Sequence, residues 1–297
     1  MNLYSKSKKN LIVKKALFDT TFGRKTWLRL RSDWQIYAFI LPTLIYFIVF
    51  HYLPMYGIQI AFKDYIAVKG ILESPWVGFK HFRDFFDSYY CSRLFLNTLL
   101  LNIYGLLWGF PIPVFLALLI NQINSKWFKS FTQTIIYIPH FISSVVLIGM
   151  LYMFLSPTSG VFNKIIELFG GEPIYFLSEA KWFRTLFIGS SIWQNTGWSS
   201  ILYIAALTGI DQQLYEAATI DGANIWQKIY YIEIPSILPI ATMMLILSCG
   251  GLLNSNTEKA LLLQTSGNIA TSDIIGVYVY NVGLGGGQYS YTSAIGL

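Results

Sequence analysis

Three acidic residues in one polar interruption are the first features of this sequence that suggest chemistry. Glu216, Asp221 and Glu233 lie in the stretch EAATIDGANIWQKIYYIEIP, between two of the most apolar parts of the chain. Carboxylates can serve as general acids and bases, but this work requires a pocket and a second titratable group within reach. The sequence offers neither here, so we interpret the three acids as helix ends and as contacts to another protein.

Other residue types give no better candidate for catalysis. His51 and His140 fall within apolar runs, and neither has a carboxylate or a cysteine within one helical turn. The sequence contains no H-E-x-x-H zinc motif, no G-x-S-x-G nucleophile elbow and no G-x-x-x-x-G-K-[ST] phosphate loop. Cys91 and Cys249 have neither metal-ligand spacing nor a disulfide framework. We therefore predict a protein that is not an enzyme and that binds no metal or cofactor.

The composition predicts that the positioning elements are membrane helices. Hydrophobic residues make up 54% of the chain and charged residues 12%, whereas soluble domains carry roughly 25% charged residues. Runs without charge extend over Trp34–Phe62, Leu94–Ser125, Ser130–Asn163, Thr185–Ile210 and Ile234–Thr257. Each exceeds the ~20 residues that a helix needs to cross a lipid core. Because helices satisfy their own backbone hydrogen bonds, the predicted fold class is all-α, a multi-span integral membrane helical bundle.

The N-terminal charge predicts the orientation of these helices. Residues 1–33 form a basic arm, and positive charge beside the first span favours the cytoplasmic side. We predict that the arm contacts anionic lipid head groups and not nucleic acid. The expected spans are Ile36–Ile60, Leu94–Ile120, Phe131–Leu155, Phe183–Thr208 and Ile234–Leu253, which leave residues 211–235 in the cytoplasm. Tyr289–Leu297 is expected to begin a further span that the sequence truncates; the alternative is a protein of five spans whose C-terminus lies outside.

The cytoplasmic segment carries the local signals of two short helices. Asp211 can cap the first, because its carboxylate accepts a free backbone N–H, and Gly222 suits the left-handed position that commonly ends a helix. Asn224 can cap the second helix, and Pro235 is tolerated in the first turn of the following span. The bend between the helices is made of small residues. We interpret the segment as a handle that enters the cleft of a partner protein.

The same residues carry a resemblance to a known family. E-A-A-x-x-D-G-A, followed by a hydrophobic stretch and I-x-[LI]-P, resembles the cytoplasmic-loop signature of ABC importer permeases. The signature is present here as Glu216, Ala217, Ala218, Asp221, Gly222 and Ala223, then Ile232, Ile234 and Pro235. YIPHFISSVV, WQNTGWSSILYIAALTGI and VGFKHFRDFF are similar to the carbohydrate-uptake branch, and most to its polysaccharide-type, LplB-like group.

The resemblance implies a type I importer permease domain over residues 34–297, with a six-span core and a coupling loop at 211–235. It implies that a second permease subunit, two ABC ATPase subunits and an extracytoplasmic solute-binding lipoprotein are the partners. The six signature residues at 216–223 would contact an ATPase, and the binding protein would deliver a sugar. The implied location is the bacterial plasma membrane, with several passes through the lipid.

The resemblance also implies where the cargo passes. In sugar importers of this type the spans on either side of the coupling loop line the cavity. The matching positions here are Ser191, Gln194, Asn195 and Trp198, then Leu253, Asn254 and Asn256. Amides can hydrogen-bond to hydroxyl groups, and an indole can stack on a sugar ring.

The interiors of the spans contain no charged residue, which favours a neutral cargo rich in hydroxyl or amide groups. Two alternatives remain open. The chain could be a permease for another neutral solute or a peptide, or it could be a secondary carrier or membrane scaffold that works without an ATPase.

Overall fold

Residues 33–297 are described by the structure, a computed structural model. The predicted basic arm at 1–33 therefore lies almost entirely outside the described residues. The described part is helical, and its only strand-like contacts are two isolated bridges, Lys63 with Trp76 and Ile66 with Gly70. The chain divides into two compact units, one with residues up to Ile60 and Ile66–Glu73, the other with Ala61–Tyr65 and Ser74–Leu297.

The first unit contains one long apolar helix, α1, Trp34–Phe62, up to its residue Ile60. It passes through a π turn at Ile48–Tyr52, directly before Pro54, and a wider turn of this kind accommodates a residue that lacks a backbone N–H. The apolar window of α1 is 0% buried. An apolar helix exposed on all sides is suited to lipid or to a partner helix. The short helix α2, Gly70–Glu73, belongs to the same unit.

The second unit holds the remaining helices. In chain order they are α3 Lys80–Phe86, α4 Tyr89–Asn121, α5 Lys126–Phe141, α6 Ser144–Phe154, α7 Val161–Leu168, α8 Ala180–Thr208, α9 Gln212–Ile220, α10 Ile225–Gly250, α11 Thr257–Leu263, α12 Ile269–Ser272, α13 Ile275–Gly285 and α14 Tyr289–Gly296. By length and composition, α1, α4 and α10 are suited to cross a membrane, and the bent pair α5 and α6 would make a fourth span.

The predicted span over Phe131–Leu155 is a bent pair of helices, because α5 and α6 meet at an angle of 97°. Pro139 lies in the 3-10 turn that ends α5. Ser143 then caps α6, its hydroxyl accepting the backbone N–H of Val146 at 3.3 Å. The carbonyl of Ile142, freed by the break, accepts the side-chain amide of Gln194 at 2.6 Å. A broken membrane helix persists when neighbouring groups satisfy its backbone in this way.

The central helix of the unit is α8, which is 29 residues long. It is long enough to span a membrane, but it is not among the helices apolar enough to pass as spans, so the predicted span Phe183–Thr208 stays a prediction. Its polar residues are tolerated because the helix packs against α4, α5 and α10. Gly197 allows the closest approach, since a Cβ at that position would overlap the carbonyl group of Ile136 on α5.

Two hydrophobic cores fix α8 at its two ends. The first includes Phe183, Phe187 and Ile188 of α8 together with residues of α4, α6, α11 and α13. The second includes Tyr203, Ile204 and Leu207 with residues of α4 and α10. The stretch of α8 between the two cores is therefore held in place at both ends, although its own residues belong to neither core.

The expected second short helix after Gly222 is not separate from the following span. Asn224 does cap it, in a capping box with Gln227, but the helix runs on from Ile225 to Gly250 as α10. A π turn at Ile229–Glu233 connects the two parts. This wider turn directly precedes Pro235, so the missing N–H of the proline does not end the helix.

Candidate functional site

The predicted coupling segment forms a short helix, α9, with well-defined ends. The carboxylate of Asp211 accepts the backbone N–H of Gln213 at 3.0 Å. At the other end, Gly222 has φ 75°, and the N–H of Ala223 donates to the carbonyl of Ala218 at 2.8 Å. This bond pattern with a left-handed glycine is a Schellman motif. The predicted caps of α9 are confirmed.

The signature residues lie at a protruding surface. Glu216, Ala217, Asp221 and Gly222 are exposed, and Ala218 and Ala223 are partly buried. Ile220 is 87% exposed beside them, and Gly222 has open space around the position of a Cβ. Exposed large apolar side chains at a small-residue bend are typical of a protein contact site. The ATPase contact itself remains a prediction for these six residues.

Glu233 does not share this surface, and its interpretation as a partner contact is wrong. It is 1% exposed. Its carboxylate accepts the side-chain amide of Asn121 at 2.8 Å, the amide of Gln122 at 2.9 and 3.0 Å, and the hydroxyl of Tyr215 at 3.1 Å. The carboxylate forms no ion pair with a described residue, so these donors stabilise its charge.

This network joins α9 to two other helices. Tyr215 belongs to α9, Asn121 lies at the C-terminus of α4 with Gln122 directly after it, and Glu233 lies in α10. Burial, and then the charge and hydrogen bond of Glu233, raise the pKa of Tyr215 to about 12. The phenol therefore keeps its proton and remains a donor to Glu233 at physiological pH. We name Tyr215, Asn121, Gln122 and Glu233 the carboxylate clasp.

Helices α4, α8 and α10 surround a cavity of about 550 Å³. The polar or small lining residues are Asn102, Gly105 and Gly109 from α4, Ser191, Asn195, Thr196, Trp198 and Ser199 from α8, and Ser248 and Gly251 from the end of α10. None of the described residues that line it is charged. The cavity thus presents hydroxyls, amides and one indole in an otherwise apolar wall.

Three of the predicted path residues, Ser191, Asn195 and Trp198, line this cavity. Trp198 stacks on His140, with ring centroids 4.5 Å apart and an interplanar angle of 5°. Nδ1 of His140 donates to Oδ1 of Asn195 at 3.0 Å, because the Asn195 amide nitrogen is itself bonded to the carbonyl of Ser191. One face of the indole is therefore covered, and His140 positions both neighbours.

The other predicted path residues do not line this cavity. Gln194 donates to the carbonyl at the break between α5 and α6. Asn254 is exposed and lies in the turn after α10, where its N–H donates to the carbonyl of Gly251 at 2.8 Å. Asn256 caps α11 by accepting the N–H of Lys259 at 3.0 Å. Helix α10 ends at Gly250, before the expected end at Leu253, and a role of these three residues in the cargo path stays a prediction.

Sequence reasoning missed the contribution of α4. Asn102, Gly105 and Gly109 line the cavity, and their i, i+3 and i+7 spacing places them on one face of the helix. A stripe of one amide and two glycines in an apolar run was the available signal. The side-chain amide of Asn102 donates to Ser255 Oγ at 2.6 Å, which fixes its direction.

Lys259 is a second residue that was missed. It is 1% exposed, and its Nζ donates to Oγ of the cavity-lining Ser191 at 2.6 Å. It also lies 5.1 Å from the ring centroid of Phe187. Burial lowers the pKa of Lys259 to about 8, so the ammonium group is still mostly charged at neutral pH.

A protruding capped helix, a network that ties it to the helices of an uncharged cavity, and the apolar spans together define a helical membrane permease. The chain matches, over residues 95–295, the family model described as binding-protein-dependent transport system inner membrane component. It belongs to this family. The resemblance to ABC importer permeases and the all-α type I permease fold are thereby confirmed.

Two curated relatives cover most of the chain. It is 43% identical over 273 residues to Protein LplB of Bacillus subtilis (strain 168), covering 92% of this chain and 86% of LplB. It is 42% identical over 281 residues to the polygalacturonan/rhamnogalacturonan transport system permease protein YteP of the same strain, covering 95% of this chain and 88% of YteP. Since the relatives are transport permeases, the chain is a transporter component and not an enzyme.

Solved structures show the same fold. A chain of a bacterial ABC transporter involved in the import of the acidic polysaccharide alginate matches with a TM-score of 0.85 and 41% identity, covering 92% of both chains. A bacterial alginate ABC transporter in complex with an alginate pentasaccharide-bound periplasmic protein matches with a TM-score of 0.83 and 41% identity, covering 91% of this chain and 90% of that chain.

Proposed function

We propose that the chain is a permease subunit of an ATP-driven importer for an oligosaccharide or polysaccharide-derived sugar, which an extracytoplasmic binding protein delivers. The names of YteP and of the alginate importers support the cargo class. The alginate transporter with its sugar-bound periplasmic protein supports the delivery route. The observation that carries the proposal is α9, a protruding capped helix tied by the carboxylate clasp to helices that line the cavity.

The proposed partners are a second permease subunit, two ABC ATPase subunits and a binding lipoprotein, assembled in the lipid of the bacterial plasma membrane. The N-terminus and α9 face the cytoplasm in this arrangement. The exposed Ile220 and the small residues around Gly222 enter a cleft of one ATPase. Glu216 and Asp221 on the same surface provide charge for contacts with basic groups of that subunit.

The carboxylate clasp provides a route from the ATPase to the cavity. Tyr215 moves with α9, and its hydroxyl is bonded to Glu233. Glu233 is bonded in turn to the end of α4, and both α4 and α10 line the cavity. A displacement of α9 is therefore passed to two of the three cavity helices. The third cavity helix, α8, is joined to α9 by a short connection. Such rigid shifts of packed helices interconvert two states of a transporter.

The cavity lining supports a carbohydrate cargo through its hydroxyl and amide groups. Asn102, Ser191 and Asn195 offer donors and acceptors, and Trp198 offers an aromatic edge beside them. A permease for another neutral solute or a peptide remains the second candidate for the cargo. A carrier that works without an ATPase is the candidate that the following experiments separate most directly.

The coupling assignment is tested by substituting the bend glycine. Gly222→Leu forces a bulky side chain onto φ 75°, and it also blocks the proposed cleft contact. We expect loss of ATPase co-purification and of ATP-dependent uptake, while membrane insertion is retained. Gly170→Leu is the matched control, because Gly170 has φ 80° and open space at another bend. It carries the same backbone strain, about 1–2 kcal/mol, and should retain docking.

The charge on α9 is tested in the same assay. Glu216→Lys reverses the charge of an exposed signature residue and should abolish docking or coupling. Glu167→Lys on α7 makes the same change at an exposed residue outside the site and should have little effect. Normal sugar uptake by both Gly222→Leu and Glu216→Lys would refute the assignment of α9 as the coupling helix.

A further inference from the structure

Lys259 is a buried cation without a counter-ion among the described residues, and it lies next to residues that line the cavity. The Lys259 ammonium has Ser191 Oγ and the face of the Phe187 ring as its neighbours. The ion pairs of the described residues involve Lys80, His81, Arg93 and Lys181, and none involves Lys259. A buried charge normally has a paired opposite charge, because desolvation is costly. The missing anion is the feature that needs an explanation.

Both neighbours of the ammonium group belong to the cavity. Phe187 and Ser191 are lining residues of α8, so Nζ is separated from the cavity by one hydroxyl group. A lysine has a flexible four-carbon stem, and rotation of this stem past Ser191 would bring Nζ to the cavity surface. Since no described lining residue is charged, Lys259 dominates the electrostatics of the cavity, and the low dielectric of its surroundings strengthens the attraction for an anion.

A second cation continues the same face of α8. Arg184, Phe187, Ser191, Asn195 and Trp198 follow one another at intervals of three or four residues, which places them on one side of the helix. Arg184 donates from Nη2 to Oδ1 of Asn97 at 2.9 Å. Its Nε is buried and has no hydrogen-bond partner among the described residues, and none of the ion pairs found among those residues includes Arg184. A free donor therefore remains on a positive group along this face.

We propose that Lys259, aided by Arg184, forms a subsite for the carboxylate of a uronic acid unit, so that the cargo class is acidic oligosaccharides. This inference rests on the proposed function of carbohydrate import. It replaces the expected preference for neutral cargo, which followed from span interiors without charge. The lining is uncharged as predicted, but α11 places one ammonium group directly behind it. A carboxylate that enters the cavity supplies the counter-ion that Lys259 lacks, whereas a neutral sugar does not.

The test compares two probes with the same sugar skeleton, one with free carboxylates and one with uncharged methyl esters. Trigalacturonate carries three carboxylates, and its fully methyl-esterified form has the same skeleton without charge. Uptake of each is measured as KM and kcat in proteoliposomes that contain the complete importer with its binding protein. The variants are Lys259→Met, which keeps the length of the stem, and Lys259→Arg, which keeps the charge. Lys181→Met, at an exposed lysine paired with Glu179, is the control.

We expect wild-type protein and Lys259→Arg to import trigalacturonate. Lys259→Met should lower kcat/KM for trigalacturonate about tenfold or more, with less than about a twofold change for any ester that is imported. Lys181→Met should resemble wild type. If the Lys259→Met variant does not assemble, Arg184→Gln is measured in its place. Arg184→Gln should lower kcat/KM for trigalacturonate and not for the ester.

Three outcomes overturn the inference. Equal losses for acid and ester in Lys259→Met, or in Arg184→Gln where that variant decides, would make the residue merely structural. Unchanged uptake of the acid by the variant would remove the subsite. Wild-type import of neutral oligosaccharides such as galactotriose without import of trigalacturonate would overturn the acidic cargo class and leave the proposed function intact. Import of no carbohydrate at all would overturn the proposed function itself.

Discussion

Glu233 is a fully buried carboxylate, and the described residues that stabilise it are all neutral donors. Four hydrogen bonds from Asn121, Gln122 and Tyr215 surround it. A hydrogen bond to a charged group contributes about 1.5–3 kcal/mol, and an unsatisfied buried donor costs about 1–3 kcal/mol. The network is therefore stiff as a whole, and the loss of one member leaves the others unsatisfied.

Removing the carboxylate charge should separate α9 from the cavity helices. In Glu233→Gln, one acceptor oxygen becomes a donor that faces the donor amides of Asn121 and Gln122. We expect a lower melting temperature for the purified complex and a loss of sugar-stimulated ATP hydrolysis, while basal hydrolysis is retained. Tyr215→Phe removes one hydrogen bond and should show the same direction with a smaller effect. The measurements are thermal unfolding and the ratio of stimulated to basal ATPase rates.

Tyr231→Phe is the matched control for the phenol, since Tyr231 is 72% exposed on the same helix as Glu233. It should leave both measurements unchanged. If Tyr215→Phe behaves like Tyr231→Phe, the hydroxyl of Tyr215 does not transmit force between α9 and α10. The clasp would then be a local structural contact only.

The prediction of individual residues from the sequence succeeded where the cause was local. The caps Asp211, Gly222 and Asn224 were identified because each acts on backbone groups within a few residues. Glu233 was misplaced because its partner Asn121 is 112 positions away in the sequence. Lys259 was missed for the same reason, since Ser191 is 68 positions away.

At the scale of the elements, the contact between α5 and α8 depends on the missing side chain of Gly197. A Cβ there would overlap the carbonyl group of Ile136, so the two helices must separate or the backbone must shift. Overpacking of this kind typically costs about 1–3 kcal/mol. Because α5 also carries His140, which positions Trp198 and Asn195, the shift would disturb the cavity as well.

Gly197→Ala should therefore lower the melting temperature and weaken uptake, although alanine favours a helix. Gly189→Ala is the matched control on the same helix, because nothing lies within 4 Å of its Cβ position. That change should be neutral or slightly stabilising, since glycine costs about 1 kcal/mol relative to alanine in a helix. Thermal unfolding of both variants checks the prediction. Equal stability of the two would show that α5 and α8 are not in close contact at this point.

Element boundaries were predictable from the sequence where apolar runs coincide with helices, as in α1 and α4. They were less predictable where hydrogen bonds from other helices decide the outcome. The break between α5 and α6 needs Gln194 of α8 to satisfy Ile142, and the continuation of α10 through Pro235 needs a π turn. Asn254 and Asn256 follow the end of α10 at Gly250 and do not line the cavity, since no local signal in the sequence determines how the chain turns after that helix.

At the scale of the whole molecule, the arrangement of its polar groups argues for a subunit and against a self-sufficient carrier. The described cavity lining contains no acidic or basic side chain that could exchange a proton with the cargo. The proposed coupling site lies instead on α9, where Ile220 and the small-residue bend are exposed. Under the proposed function, movement of the cargo requires work delivered at α9 from outside the chain.

This organisation predicts how transport depends on composition of the complex. Vesicles that contain the chain alone should show no sugar accumulation, with or without a proton or sodium gradient. Vesicles that contain the chain with its second permease, two ATPases and binding protein should also be tested. They should accumulate sugar only when ATP is present on the side of the membrane where the ATPases are bound. The control is a complex whose ATPase subunits cannot hydrolyse ATP, because it should bind sugar without transporting it. Gradient-driven accumulation by the chain alone would contradict the importer assignment and favour the secondary carrier, because the work would then enter through the cavity and not through α9.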